Sequence, residues 1–211
     1  MEWKEKLAAA RVVPVVKLKE IGQAEALADA FCAGGIPCAE ITFRAAGAAE
    51  VIRRMKARHP EMFVGAGTVL TVAQAKEALD AGAEFIVAPG TNPKVVEYVL
   101  QRGGAMLPGV MTPTEIEMAL GLGLDTLKFF PAEAAGGVKM LKSLSGPYAG
   151  VKFVPTGGVT PENLPDYLAL PCVAACGGTY LAPEKLLAAG DFAAVAENCR
   201  KTAEIVQSLQ K

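Results

Sequence analysis

The chain has 211 residues, is 52% hydrophobic, and balances 21 Lys and Arg against 22 Asp and Glu. A near-neutral chain without a long basic run does not neutralise the phosphates of a nucleic acid, so we expect no nucleic-acid partner. No stretch reaches the roughly 20 apolar residues of a membrane span, and the N-terminal residues lack the apolar core of a signal peptide. We therefore expect a single domain, residues 1–211, in the cytoplasm and without a membrane partner.

The predicted elements alternate between short apolar segments and amphipathic stretches along the whole chain. A predicted helix, MEWKEKLAAA, stands ahead of the first apolar segment. The strand candidates are 11–17, 37–43, 62–68, 84–90, 105–109, 126–132, 151–157 and 172–178. The clearest helical patterns, with apolar positions three or four apart, are 22–35, 48–59, 71–83 and 92–104. Residues 192–210 are predicted to form the closing helix.

This alternation predicts an α/β fold with parallel strands and right-handed crossovers. The units share no fixed-length sequence repeat, which disfavours a solenoid. Eight strand–helix units fit a closed (β/α)8 TIM barrel whose bottom is covered by the extra N-terminal helix.

The number and spacing of the cysteines and histidines indicate whether disulfide bonds or metal sites are to be expected. The five cysteines are odd in number and lie in apolar or helical surroundings, so we expect reduced thiols that serve in packing. Cys172 and Cys176 have no nearby histidine or second cysteine pair, and no zinc site of standard spacing is visible. The single histidine, His59, is predicted at the polar end of a helix. Metal-dependent chemistry is therefore disfavoured, and we expect no metal.

In a TIM barrel the active site lies at the C-terminal ends of the strands, so the residues that end the strands are the candidates. They are Lys17, Glu40, Thr42, Arg44, Thr68, Pro89, Pro108, Lys128, Thr156, Gly177 and Gly178.

Lys128 is unusual because it lies inside the apolar segment 126–132. Side chains alternate along a strand, so Leu127 and Phe129 share one face while Lys128 shares the other with Phe130. If the first pair packs beneath the helices, Lys128 points into the barrel. Burial there favours the neutral amine that Schiff-base chemistry requires. The alternative is a structural lysine that reaches the barrel rim or ends in a buried ion pair.

The second predicted strand carries polar residues on one face. The same alternation places Glu40, Thr42 and Arg44 together. A carboxylate within reach of Lys128 is either its ion partner or a general acid/base. Arg44 offers a bidentate fork for a substrate carboxylate, and Thr68 a hydroxyl beside it. The structural alternatives are an ion pair between Arg44 and Glu40 and a hydroxyl that only closes a strand-end turn.

Two glycine pairs follow the last two predicted strands, in PTGGV (155–159) and CGGTYL (176–181). The loops at these places in a TIM barrel bind phosphate through backbone N–H groups. The alternative is a pair of tight turns at the barrel edge. The candidate phosphate-binding residues are Gly157, Gly158, Gly177, Gly178 and Thr179.

Six motifs, in order along nearly the whole chain, resemble the bacterial 2-keto-3-deoxy-6-phosphogluconate aldolases, also called KDPG or KHG aldolases. The motifs are EITFR (40–44), VGAGTVL (64–70), VAPG (87–90), LPGVMTPTE (107–115), LKFFPAEAAGGVK (127–139) and FVPTGGVTPEN (153–163). The resemblance implies a class I, metal-independent aldolase without a cofactor. It also implies a small-molecule 2-keto acid as substrate, a homotrimer, and a place in sugar-acid breakdown of the Entner–Doudoroff type.

Matching the motifs residue by residue implies that Lys128 forms the Schiff base and Glu40 is the general acid/base. Arg44 and Thr68 would hold the keto-acid carboxylate, and Thr156 would steer the facial selectivity towards the aldehyde. The glycine pairs would bind the distal phosphate. Three further residues are expected to orient the substrate: Pro89, Phe130 and Lys17.

One departure from the family pattern concerns the second glycine pair. Many members carry a serine after it, whereas this chain has Thr179. Threonine still donates a hydroxyl, but its methyl group narrows the loop, which leaves the identity of the aldehyde open. The substrate is 2-dehydro-3-deoxy-6-phosphogluconate, its galactonate epimer or 4-hydroxy-2-oxoglutarate, all of which share the pyruvate half.

Two other functions remain open on the residues alone. A phosphate-binding barrel isomerase or epimerase would use the glycine pairs without a Schiff base. A non-catalytic sugar-phosphate binding protein would hold Lys128 and Glu40 as a structural ion pair.

Overall fold

Nine short strands and ten α-helices alternate along residues 2–209, the part of the chain that this computed structural model describes. The strands are β1 (Val12–Val16), β2 (Cys38–Thr42), β3 (Phe63–Gly67), β4 (Phe85–Val87), β5 (Ala105–Leu107), β6 (Gly109–Val110), β7 (Thr126–Phe129), β8 (Lys152–Pro155) and β9 (Cys176–Gly178). Every predicted strand segment contains a strand, so the α/β alternation is confirmed.

The helices fill the connections between the strands, with a 3₁₀ turn at Ile21–Gln23. They are α1 (Trp3–Ala10), α2 (Ala24–Ala33), α3 (Ala48–Arg58), α4 (Val72–Asp80), α5 (Pro93–Gln101), α6 (Pro113–Gly121), α7 (Gly137–Ser145), α8 (Leu164–Leu168), α9 (Glu184–Ala189) and α10 (Phe192–Ser208). The predicted N-terminal helix corresponds to α1. The closing helix corresponds to α10, and its predicted last residue, 210, lies outside the described residues. Within residues 2–209 no helix is long and apolar enough to cross a bilayer.

All strand pairs are parallel, and they form two sheets. The larger sheet has the order β5-β4-β3-β2-β1-β9, and the smaller has the order β6-β7-β8. Single parallel bridges, Phe153 to Val173 and Thr156 to Gly177, link the β8 side of the smaller sheet to the β9 side of the larger. The parallel α/β prediction is therefore confirmed at the level of the sheets.

The predicted strand 105–109 is divided at Pro108 into β5 and β6. Proline has no N–H to donate to a ladder. Its carbonyl accepts a hydrogen bond from the Lys128 backbone N–H at 2.9 Å. Residues before Pro108 pair with β4, whereas Gly109 and Val110 pair with β7. One chain segment therefore contributes to both sheets and brings the Lys128 strand beside the larger one.

The core lies between the strands and the surrounding helices. On β7, Leu127 and Phe129 are completely buried, and the Phe129 ring meets Phe153 edge-on at 6.4 Å between centroids. Inside, side chains of both sheets and Leu7 of α1 line one small cavity. Since α1 reaches this cavity, the N-terminal helix covers one end of the interior, as its position in the sequence predicts.

Candidate active site

Lys128 lies on the inner face of β7, where its side chain is nearly inaccessible. The residue is 5% exposed, and its Nζ lies 5.2 Å from the centroid of the Phe130 ring. Leu127 and Phe129 pack away from it, as the alternation of faces predicts. This burial excludes the alternative in which the ammonium group reaches the rim.

Glu40, on β2 of the other sheet, faces Lys128 across the interior. Glu40 is 4% exposed, and its Oε1 lies 3.5 Å from Nζ of Lys128. That distance is longer than the roughly 2.7–2.9 Å of a tight charge-assisted hydrogen bond. The carboxylate is therefore close enough to exchange a proton with a group bound at Lys128 without being fully engaged by the lysine.

Gly67, on β3, makes room for this carboxylate. A Cβ built on Gly67 would lie 2.1 Å from Oε1 of Glu40 and 2.6 Å from its Cγ. Any side chain at this position would push Glu40 aside. Gly67 was not among the predicted site residues, although the glycine in VGAGT was the available signal.

The interior cavity beside Lys128 and Glu40 is small. Its volume is about 10 Å³, and its lining residues are Leu7, Val13, Glu40, Phe85, Val87, Leu107, Lys128, Val154, Thr156 and Gly177. Such a space is at the lower limit for one water molecule. A 2-keto acid therefore has to approach Lys128 from the C-terminal ends of the strands.

Two threonines at these strand ends depart from ordinary packing. The hydroxyl of Thr42 is buried and has no hydrogen-bond partner within residues 2–209. Thr68 has φ of 56°, in the left-handed region that β-branched residues rarely adopt. Such a conformation costs on the order of 1–3 kcal/mol and is concentrated at functional sites. Thr42 is the last residue of β2, the strand that carries Glu40, and Thr68 directly follows β3.

Arg44 does not lie on the face of a strand with Glu40, so that prediction was wrong. The strand β2 ends at Thr42, and Arg44 is exposed in the turn that follows. No carboxylate of the described residues lies within 4.0 Å of its guanidinium, so the suggested pair with Glu40 is not formed. Its guanidinium is thus available at the C-terminal end of β2.

Lys17 is half-buried and belongs to a different part of the surface from Lys128. Its Nζ lies 3.2 Å from Oε1 of Glu184, and the two residues line a cleft of about 400 Å³. The hydrogen bond from Lys17 lowers the pKa of Glu184, with smaller contributions from Lys19 and Arg44. The structure therefore does not bring Lys17 to the internal cavity.

The first glycine pair lies in a turn, as predicted. Gly157 and Gly158 follow β8 with φ of 97° and 82°, a backbone that strongly favours glycine. Beside them lies Glu133, whose Cγ would be 2.6 Å from a Cβ on Gly158. The carboxylate of Glu133 accepts a hydrogen bond from Tyr167, and burial together with this contact raises the pKa of Tyr167. Glu133 was not among the predicted site residues, although it lies in the motif PAEAAGG.

The second glycine pair lies within the predicted strand 172–178 rather than in the loop that follows it. Gly177 and Gly178 are buried in β9, paired with β1. A Cβ on Gly177 would lie 2.3 Å from Oγ1 of Thr156, so glycine is required here to let Thr156 pack into the interior. Of the three phosphate-binding candidates in this segment, Thr179 alone is exposed, and it lies just beyond the end of the strand.

The remaining candidates also lie just beyond the C-terminal ends of strands. Thr156 is 4% exposed and lines the cavity with Lys128. Pro89 is half-buried in a bend after β4, with its carbonyl against Gly109. The site thus combines a buried amine and a carboxylate, with the ring of Phe130 near Lys128 and with threonine hydroxyls and glycine turns at the C-terminal ends of neighbouring strands.

Comparison with known proteins bears on what this arrangement does. A family model described as KDPG and KHG aldolase matches residues 3–198. The chain belongs to the KDPG and KHG aldolase family. The resemblance seen in the sequence motifs is thereby confirmed, and membership of an aldolase family makes this protein a lyase.

Relatives within the KDPG and KHG aldolase family align over almost the full chain. The chain is 48% identical over 202 residues to the 2-dehydro-3-deoxy-phosphogluconate aldolase of Treponema pallidum, covering 96% of each. It is 40% identical over 193 residues to the KHG/KDPG aldolase of Escherichia coli, covering 92% of this chain and 91% of that one.

A solved structure of a KDPG aldolase has a very similar fold. KDPG aldolase from Legionella pneumophila was crystallised with pyruvate captured at low pH as a covalent carbinolamine intermediate. Its TM-score to this chain is 0.92, with 37% sequence identity, covering 96% of this chain and 98% of the other.

Proposed function

We propose that this protein is a class I, Schiff-base aldolase that reversibly cleaves 2-dehydro-3-deoxy-6-phosphogluconate to pyruvate and glyceraldehyde 3-phosphate. The observation that carries the proposal is the buried Lys128 Nζ, 3.5 Å from the Glu40 carboxylate. Family membership and the names of the relatives from Treponema pallidum and Legionella pneumophila support the substrate.

Lys128 supplies the nucleophile. Its neutral amine attacks the C2 ketone to give a carbinolamine, which loses water to form an iminium ion. The apolar strand buries this amine, and the Phe130 ring lies beside it with its centroid 5.2 Å from Nζ. The iminium is the electron sink for the next step, so the chemistry requires neither a metal nor an organic cofactor.

Glu40 moves the protons. It removes the proton from the C4 hydroxyl, directly or through one water, and the C3–C4 bond breaks as the aldehyde forms. The electron pair of that bond passes to the iminium and gives an enamine. Glu40 then returns the proton to C3, and water hydrolyses the resulting iminium to release pyruvate and free Lys128.

The other candidates bind the two ends of the substrate. The exposed guanidinium of Arg44 and the hydroxyl of Thr68 hold the keto-acid carboxylate. The remaining orienting residues are Thr156, Pro89 and Phe130. Lys17, which is paired with Glu184 in a separate cleft, would orient only a part of the substrate that lies outside the internal cavity. The distal phosphate is bound by Gly157, Gly158 and Thr179, while Gly177 and Gly178 shape the neighbouring strand end.

Reductive trapping tests the covalent step. The protein is incubated with pyruvate, reduced with borohydride and digested, and we expect the adduct on the peptide that carries Lys128. Lys128→Ala removes both the adduct and the cleavage while the fold is retained. Lys152→Ala is the matched control, since Lys152 is exposed on the adjacent strand and bonds only the Pro171 carbonyl there, at 2.8 Å.

Each rival function gives a different result in these assays. An isomerase or epimerase gives no adduct, and a sugar-phosphate binding protein gives ligand binding without turnover. Cleavage by Lys128→Ala above roughly 1% of the parent rate contradicts the covalent role.

A second substrate is favoured by one comparison. The Escherichia coli relative is named KHG/KDPG aldolase, so 4-hydroxy-2-oxoglutarate, which yields glyoxylate, is the alternative. The 6-phosphogalactonate epimer is a third. Comparing kcat/KM for the three substrates ranks them, because they share the pyruvate half and differ only at the aldehyde.

We further propose that the two sheets form one closed (β/α)8 TIM barrel spanning a single domain, residues 1–211. Support comes from the cavity lined by seven strands of both sheets and from the bridge between Thr156 and Gly177. A homotrimer in the cytoplasm is proposed from the family likeness and the five free thiols. Light scattering on the purified protein gives the oligomeric state.

A further inference from the structure

Three side chains with metal-binding atoms converge at the end of the fold opposite Lys128. Cys32 lies near the end of α2, His59 directly follows α3, and Glu61 lies in the turn before β3. One ligand atom from each lies within 4.8 Å of the other two. These elements precede the N-terminal ends of β2 and β3, whereas the candidate active site lies at the C-terminal ends.

The spacing of these atoms approaches that of a tetrahedral site. Nδ1 of His59 lies 3.4 Å from Oε1 of Glu61. Neighbouring ligand atoms around tetrahedral zinc are about 3.3–3.6 Å apart, as Zn–N and Zn–O distances near 2.0 Å and Zn–S near 2.3 Å imply. Glu61 is exposed and Cys32 is half-buried, so rotation of their side chains can close the remaining distance.

The other imidazole nitrogen is held by a carboxylate. Nε2 of His59 lies 2.7 Å from Oδ1 of Asp29, which lies one turn before Cys32 on α2. Metal-binding histidines commonly donate their second N–H to such a carboxylate, which fixes the ring and its tautomer. Arg58 bonds both oxygens of Asp29, at 2.9 and 3.0 Å, and so keeps Asp29 in place as a positioning residue.

We propose that Cys32, His59 and Glu61 bind a divalent transition-metal ion of the zinc type, with the fourth position taken by water. A thiolate with an imidazole favours zinc, cobalt or copper over magnesium and calcium, which take oxygen ligands. One thiolate and one carboxylate neutralise the charge of a divalent ion. The bound ion ties the end of α2 to the turn between α3 and β3, so its role is structural.

Cobalt binding is the direct test, because Co²⁺ bound to a thiolate gives a strong charge-transfer absorption that oxygen ligands do not give. The full chain is stripped with a chelator and titrated with Co²⁺. We expect a one-to-one titration of this absorption, reversed by Zn²⁺. Cys32→Ser abolishes the absorption, and His59→Gln and Glu61→Gln each weaken Co²⁺ binding at least tenfold.

The matched control is Cys172→Ser, because Cys172 is the other half-buried thiol of the chain. It leaves the Co²⁺ titration unchanged. Zn²⁺ raises the Tm of the parent and of Cys172→Ser but not of Cys32→Ser, and aldol cleavage is the same in all three. The proposal is overturned if the parent gives no thiolate absorption or if Cys32→Ser keeps it.

Discussion

Replacing Gly67 by alanine tests how tightly the Glu40 carboxylate is held. The new Cβ would lie 2.1 Å from Oε1 and 2.7 Å from Cδ of Glu40. Ordinary contacts begin near 3.4 Å, so the carboxylate has to withdraw by more than about 1 Å. A displacement of about 1 Å at a reacting group costs on the order of 100-fold in rate, or roughly 2.7 kcal/mol.

The expected loss is confined to the step that uses Glu40. We expect kcat for cleavage to fall about 100-fold in Gly67→Ala, while borohydride still traps pyruvate on Lys128. Thermal unfolding shows that the variant is folded. Glu40→Asp withdraws the carboxylate by one methylene without adding a Cβ, so it gives the same pattern if Gly67→Ala folds poorly.

The control is Gly121→Ala, at the exposed end of α6, where a Cβ meets no atom within 4 Å. It leaves kcat and trapping unchanged. If Gly67→Ala and Glu40→Asp both retain kcat within about threefold of the parent, Glu40 does not move the proton in the slow step.

Three further predictions concern stability and thiol reactivity. Thr42→Val raises the free energy of unfolding in urea by about 1 kcal/mol, because it removes a buried hydroxyl without a partner in residues 2–209; a loss of stability refutes this. Burial raises the pKa of Glu84, but hydrogen bonds from two lysines outweigh it and the pKa is lowered from 4.5. Glu84→Gln therefore lowers the free energy of unfolding at pH 7. The difference in this free energy between the parent and the variant narrows as the pH falls below 4.5, and a difference that does not change with pH contradicts the prediction. Three buried thiols are expected to react with a thiol reagent only after unfolding: Cys38, Cys176 and Cys199. Burial raises the pKa of each thiol, to about 12 for Cys176 and Cys199. Labelling of any of the three in the native protein contradicts this prediction.

The order of strands and helices is predictable from local patterns in the sequence. Apolar segments separated by amphipathic stretches locate every strand. The division at Pro108 is not predictable, because it depends on which strands lie on either side of the segment. Before Pro108 the chain pairs with β4, and after it with β7, which is a choice made by the tertiary fold.

The direction of a site side chain was predictable only for residues that lie within a strand. The alternation rule placed Lys128 and Glu40 on inner faces, but it carries no information on where a strand ends. Arg44 was therefore assigned to β2 although the strand stops at Thr42. Gly177 was expected to bind phosphate just after the last strand, whereas the fold places it within β9, where it accommodates Thr156.

Contacts between distant elements are not visible in one sequence. The fit of Gly67 to Glu40 and the approach of Cys32 to His59 both join different elements of the chain. The left-handed backbone of Thr68 is equally hidden, because the residue type argues against it. Each of these features follows from packing that the local pattern does not specify.

The departures from stable packing lie together rather than being spread through the fold. Lys128 and Glu40 bury an amine and a carboxyl group that lose their hydration, a cost that apolar residues of the same volume do not have. Thr42 adds a buried hydroxyl without a partner in the described chain, and Thr68 a strained backbone. All four residues lie on or just beyond β2, β3 and β7. Local rules of structure fail mainly at functional sites, so this clustering supports the assignment of the active site to these strand ends.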